Sequence, residues 1–422
     1  MTLVERILAR ASGRKQVAPG EIVVADVDRL VMHDFSTYLT SRVFEERVKL
    51  PVANPKGVIS VFDHTFSPAN EHDAEVLKFN REWVRRHNAI LLDCGSGNIH
   101  CATAWNGFIG PGMVVVGSDS HTPAYGTMGA FAAALGNDSH AGTVLPYSKA
   151  WFRVPNTIRL EMSGELRPGV TPRDIALWLV GRIGEGGAIY KALEFGGPFI
   201  DSLDVFDRWL FPLITVDVGA KCAYMEPDEK IFAFAKKVGA ADRWRELAQY
   251  PGVAKERDYE DVWEFDVSQV EPQIACPPTV GNVRPVEEVS GLPIQYAELG
   301  GHCGGRLEDL RIAAQVLSQR PKHPDILFNI VPSSRQVMMD AIREGLVEVL
   351  HNAGATLFPP STGSNQAHNM GAMAAGERML STQSRNFPGR NGSVQSEMYL
   401  ASALTVAASA TAGRIVSPKE VL

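Results

Sequence analysis

At 422 residues, with 45% apolar and 21% charged side chains, the chain is long enough for about three domains and is neither fibrous nor disordered in composition. A net charge of -7 offers no electrostatic attraction to nucleic acid or to an anionic membrane, and no apolar run approaches the roughly 18 residues of a membrane span. Cys94, Cys101, Cys222, Cys276 and Cys303 form neither a CxxC pair nor an even-numbered disulfide framework, so a cytoplasmic, reducing environment is expected.

The segment Met1–Arg10 is amphipathic and carries arginines, as a transit peptide would. Glu5 among those arginines and the lack of a serine-rich tract favour a first helix instead, with Pro19-Gly20 as its stop. Val58–Phe62, Ala89–Leu92, Met113–Val116 and Ile326–Ile330 are short apolar runs of the kind that form buried parallel strands. Gly and Pro near Cys276–Pro278 and Gly291–Pro293 predict a boundary, with two domains in 1–284 and a third in 285–422. Apolar positions between Arg335 and Ala353 recur at helical spacing, with Ser333-Ser334 to cap the start and Gly354 the end. Val394–Ala412 also reads as helical. The alternation of strands and helices predicts an α/β architecture.

Functional residues of such folds lie on loops at the carboxyl ends of strands. Asp63-His64 follows the run ending at Phe62. His100 closes the Gly-rich segment Cys94–His100, and Asp119-Ser120-His121-Thr122 follows the run ending at Val116. A single Asp-His pair is weak as a signal, but three polar clusters feeding one face mark a site. Farther on, Arg385 and Arg390 lie in the loop Gly376–Arg390, where two guanidinium forks can converge on a carboxylate.

Together these residues resemble the aconitase superfamily, most closely its 3-isopropylmalate dehydratase large subunits. The resemblance is carried in order by Leu3–Arg10, Pro19–Val24, Asp63-His64, Gly117–Thr122, Pro168–Thr171, Gly219–Lys221, Gly305–Leu310 and Ser381–Arg390. It implies three aconitase-like α/β/α domains with mainly parallel sheets around a central cleft. The implied reaction is loss or addition of water at a hydroxylated di- or tricarboxylate. Asp63 and His64 would protonate the departing hydroxyl, while Ser120, Arg385 and Arg390 would grip substrate carboxylates. His100, Asp119, His121 and Asp217 match active-site positions, although Asp217 stands where most relatives have glutamate. His33-Asp34 falls near another substrate-facing loop.

Relatives hold a [4Fe-4S] cluster with three cysteines. The resemblance places His302, Thr362 and Asn365 at those positions, and Cys303 matches only after a one-residue shift. Threonine and asparagine are poor ligands for cluster iron, so no cluster is expected. Three routes remain open: a mononuclear metal using His302 with groups from other loops, proton donation by His64 alone, or loss of catalysis. The last would leave a carboxylate-binding or regulatory protein on the same scaffold. Family members take their general base and a further arginine from a swivelling domain, which is expected here on a separate small subunit.

Overall fold

The computed structural model describes residues 1–242 and 259–421. Among these, five parallel strands form the first sheet, in the order Ile90–Leu92, Val58–Val61, Arg29–His33, Val114–Gly117, Phe131–Ala134. Val58–Val61 and Val114–Gly117 are buried along their whole length, as apolar β-branched runs covered on both faces should be. A second sheet orders Cys222–Tyr224, Ala192–Gly196, Thr157–Ser163 and Asp261–Asp266, again all parallel. In the third, Glu397–Ala401, Arg378–Ser381, Tyr296–Leu299, Leu327–Ile330 and Thr356–Leu357 run parallel. The antiparallel pair Gln273–Ala275 and Val283–Pro285 extends that sheet at its other edge. We therefore propose that the third domain begins just before Gln273 rather than at 285.

The segment 1–10 is a packed helix, Leu3–Ala11, closed by a Thr2/Glu5 capping box and buried through Leu3, Val4, Ile7 and Leu8. It ends well ahead of Pro19. Two expected helices differ in outline. Residues 335–353 form Arg335–Arg343 and Leu346–Asn352, interrupted where Gly345 takes a φ of 73° that a helix interior does not allow. Ser334 caps the first of them as expected, accepting from Val337 N–H at 3.2 Å. In 394–412 only Ala403–Ala412 is helical; Glu397–Ala401 is a strand wedged between Arg378–Ser381 and Gln273–Ala275. Pairing on both edges outweighs the helical pattern there.

Loops from the first and third sheets are stitched together at their carboxyl ends. Asn98 N–H donates to Ser333 O at 2.9 Å, and Arg335 N–H to Ser96 O at 3.0 Å. Gly97, at a φ of 127°, lies so close that an added Cβ would sit 2.5 Å from Ser333 O. Asn98 also donates to Gly301 O at 3.1 Å, which ties the His302 loop to the helix that begins beside it.

Candidate active site

The stitched loops enclose a cavity of about 370 Å³, walled by His33, Phe35, His64, Ser118, Asp119, Ser120, His121, His302, Asn365, Gln366, His368, Arg385 and Arg390. A larger cavity of about 450 Å³ lies beside Trp105, Phe206 and Phe234. It is mostly apolar and its arginines are engaged, Arg306 by Asp207 and Asp309 and Arg311 by Glu344. Free polar chemistry therefore concentrates in the smaller one.

One wall is an acid–histidine pair. His64 Nδ1 lies 2.9 Å from Asp63 Oδ1. Asp63 Oδ2 accepts at 2.7 Å from the N–H of Ile99, the first residue of the helix Ile99–Trp105, where a carboxylate is electrostatically favoured. Thr362 donates its N–H and its hydroxyl to Asp63 O at 3.1 and 3.0 Å. The His33 ring stacks on His64 at 4.3 Å, and Asp34 stands 4.0 Å from His64 Nδ1. Burial disfavours charge on His64, but Asp63, Asp34 and Asp119 outweigh it and raise the imidazole to about 9. Burial likewise opposes charge on Asp34, yet His33 and His64 hold its carboxyl below the usual range.

On a second wall Asp119 draws in His121 and His302, with the fully buried His100 beside them. His100 Nε2 is 3.1 Å from Asp119 Oδ1, His121 Nδ1 is 3.3 Å away and His302 Nδ1 4.0 Å. Burial would raise the Asp119 carboxyl, but His302, His100 and His121 hold it well below the usual range. His302 goes the other way: burial drives it well below an ordinary histidine, with Asp119 only partly opposing. His121 is lowered by burial too.

The third wall is cationic. Arg385 Nη2 donates to Ser120 Oγ at 3.2 Å, and Arg390 Nη2 donates to Asn365 Oδ1. Asn365 Nδ2 in turn lies 3.0 Å from His64 Nε2. Burial and the like charge of Arg385 pull Arg390 down to about 10. Asp217 does not reach the cavity wall. Burial pushes it up to about 7 against the pull of Arg385 and Arg173.

Among the described residues lining the cavity there is no cysteine. Cys303 belongs to the apolar core, as do Cys222 and Cys276; Cys101 is buried, and Cys94 donates to Thr65 O at 3.1 Å. The side chain at 302 faces the cavity while its neighbour at 303 faces away. Phe35, Gln366 and His368 complete the wall without any signal in the sequence that marked them.

Residues 5–413 match the model of the aconitase family (aconitate hydratase). The chain belongs to the aconitase family. It is 39% identical over 422 residues to "3-isopropylmalate dehydratase large subunit 1" of Methanopyrus kandleri, covering 100% of this chain and 99% of that one. It is 40% identical over 428 residues to the protein of the same name from Pyrococcus furiosus, with 100% and 99% covered. A "probable methanogen homoaconitase large subunit" of Methanothermobacter thermautotrophicus is 38% identical over 425 residues, with 100% and 98% covered. Among solved structures, holo aconitase X of Thermococcus kodakaraensis superimposes with a TM-score of 0.52 over 94% of this chain and 93% of that one. At 11% identity that likeness concerns the fold alone, and it agrees with the three mainly parallel sheets. No helix among the described residues is long and apolar enough to cross a membrane.

Proposed function

We propose that this aconitase-family chain is the large subunit of a cytoplasmic hydro-lyase that removes water from, or adds it to, a hydroxylated di- or tricarboxylate, and that it works without a [4Fe-4S] cluster. The observation that carries the reading is one cavity lined together by His64, held by Asp63, and by Ser120, Arg385 and Arg390. The names of the relatives support the reaction class and a small-subunit partner. His302, Thr362 and Asn365, read as occupying the family's cluster-ligand positions, offer no thiolate, and among the described residues no cysteine lines the cavity.

In this reading Arg385 and Arg390 hold substrate carboxylates and Ser120 holds an oxygen of the same substrate. His64 gives its Nε2 proton to the departing hydroxyl as the C–O bond breaks, so that it leaves as water, while Asp63 stabilises the imidazolium beforehand. The carbon-bound proton goes to a base supplied by the small subunit. The Asn365 amide links Arg390 to His64, its oxygen accepting from Arg390 Nη2 while its Nδ2 lies against His64 Nε2.

His64→Ala, assayed in the complex with a small subunit of roughly 150–200 residues, should lose turnover by roughly 10²–10⁴-fold while calorimetry still detects substrate binding. Undiminished turnover would sink the mechanism. Iron and sulfide analysis with a visible spectrum on anaerobically purified protein should show no cubane centre; about four of each per chain would sink the cluster-free part.

A further inference from the structure

We propose that His100, Asp119 and His302 form a site for one divalent first-row transition metal ion, open toward the cavity that holds the arginines. The assignment rests on the hydro-lyase reading for its chemistry, though not for its ligands. One nitrogen from each histidine and one Asp119 oxygen lie within 4.8 Å of one another. Three such donors need only a modest contraction to reach a shared ion at about 2.0–2.2 Å from each.

The state of these side chains is what makes the site more than a cluster. His302 is only 4% exposed, and neither of its ring nitrogens has a hydrogen-bond partner among the described residues. A buried imidazole ordinarily satisfies at least one nitrogen, because leaving a polar atom unpaired costs about 1–3 kcal/mol. His302 instead faces His100 and His121 at ring-centroid distances of 4.9 and 5.1 Å, with the Asp119 carboxylate at their centre. Two imidazoles and one carboxylate are borderline to hard donors. They suit Fe²⁺, Zn²⁺, Co²⁺ or Mn²⁺ and leave coordination positions for water or substrate oxygen. A metal bound there would act as a Lewis acid on a substrate oxygen, within reach of the cavity that His64 also lines.

The loop geometry holds the ligands independently of the metal. Gly301, at a φ of 81°, and Gly305, at 71°, bend the chain tightly on either side of His302, and an added Cβ on Gly305 would lie 2.0 Å from Val331 O. His100 sits in the first turn of the helix capped by Asn98, whose side chain also holds Gly301 O. Two loops from different sheets are thereby fixed against each other before any ion enters.

Titration of the metal-stripped, full-length chain with Co²⁺, read by its visible d–d absorption, should show one ion per chain, displaced by Zn²⁺. His302→Ala should weaken Co²⁺ at least as much as the roughly 10–100-fold that loss of an outer-sphere partner costs, with far-UV dichroism unchanged. His302→Cys should restore binding and add a thiolate-to-cobalt charge-transfer band, which keeps the test decisive if the alanine variant is poorly folded. His33→Ala should keep the stoichiometry, because His33 belongs to the neighbouring His33, Asp34 and His64 group. Failure of the folded wild type to take up Co²⁺ or Zn²⁺ would overturn the site, as would loss of binding in His33→Ala with retention in His302→Ala. No substrate is present in these titrations. Turnover by the metal-free complex with the small subunit would refute the Lewis-acid role and spare the hydro-lyase reading, whereas a chain that binds Co²⁺ in a complex that never turns over would sustain the site and overturn that reading.

Discussion

Replacing Asp63 with Asn tests the electrostatic origin of the acid. The carboxylate touches His64 Nδ1 at 2.9 Å and accepts from Ile99 N–H at 2.7 Å, in a fully buried setting. It is the foremost of the groups that lift His64 from an ordinary 6.5 to about 9, a difference worth about 3 kcal/mol in favour of the imidazolium. An isosteric amide removes that charge while burial persists, so His64 should return to about 6.5 or below. At pH 7.5 the protonated fraction then drops from nearly all to on the order of a tenth. The amide also offers a single oxygen to two N–H donors, which misorients the ring. Together these should lower kcat by roughly 10²–10⁴-fold and move the high-pH limb of the rate profile from near 9 to the ordinary histidine range. Ultraviolet absorbance of the conjugated unsaturated acid follows turnover, and NMR of ring-labelled histidine follows His64 directly. A variant whose activity still declines only near pH 9 would show that Asp63 does not set the acid.

Arg385→Lys keeps the charge but loses the fork that reaches Ser120. KM should rise roughly 10–150-fold, from about 1.5–3 kcal/mol of charge-assisted bonding, with kcat changing less; an unchanged KM would place the substrate elsewhere. His140 is fully buried with both ring nitrogens unpartnered among the described residues, and burial, with His33, lowers it to about 4. Because the unfolded chain takes up that proton first, stability is lost as pH falls from 6.5 toward 4. His140→Leu should therefore reduce the loss between pH 8 and pH 5 by about 2 kcal/mol in denaturant melts, and equal pH slopes would contradict this. Gly305→Ala combines a left-handed φ with a backbone clash and should cost about 3 kcal/mol or more; an unmoved denaturation midpoint would show that the His302 loop is not so constrained.

Much of the site was legible because each cluster follows an apolar run, and a parallel sheet delivers such loops to one end. Asp63-His64, His100 and Asp119–His121 are found where that rule puts them, and the arginine loop follows Arg378–Ser381 by the same rule. His33-Asp34 obeyed it as well, at the end of Arg29–His33, yet the dipeptide alone gave no hint that Asp34 would lie beside His64. Gln366 and His368 carry no local signal; only the path of the loop after Thr362 brings them in. Asp217 is not among the residues of the cavity wall, although its carboxyl is influenced by Arg385 and Arg173. The strands Gln273–Ala275 and Val283–Pro285 are too short to show a period, so Pro and Gly around them suggested a boundary where a sheet edge stands.

The cavity separates proton chemistry from neutral-donor chemistry using one residue type. His64, with Asp63 in contact and Asp34 nearby, is driven toward the cation. His302, with its ring centroid 6.2 Å from that of His64, shares Asp119 with two other histidines and is driven toward the neutral base. Both are almost completely buried, so burial alone would treat them alike. The ratio of carboxylates to imidazoles decides the outcome: two acids beside the His64 and His33 stack, one acid among three rings around Asp119. Environments that push like groups apart are how a site acquires a donor and an acceptor at one pH. Removing Asp119 should therefore leave His64 charged, because Asp63 and Asp34 remain, while removing Asp63 should not charge His302. A histidine NMR titration in which both rings moved together would show a single coupled cluster instead of two opposed poles.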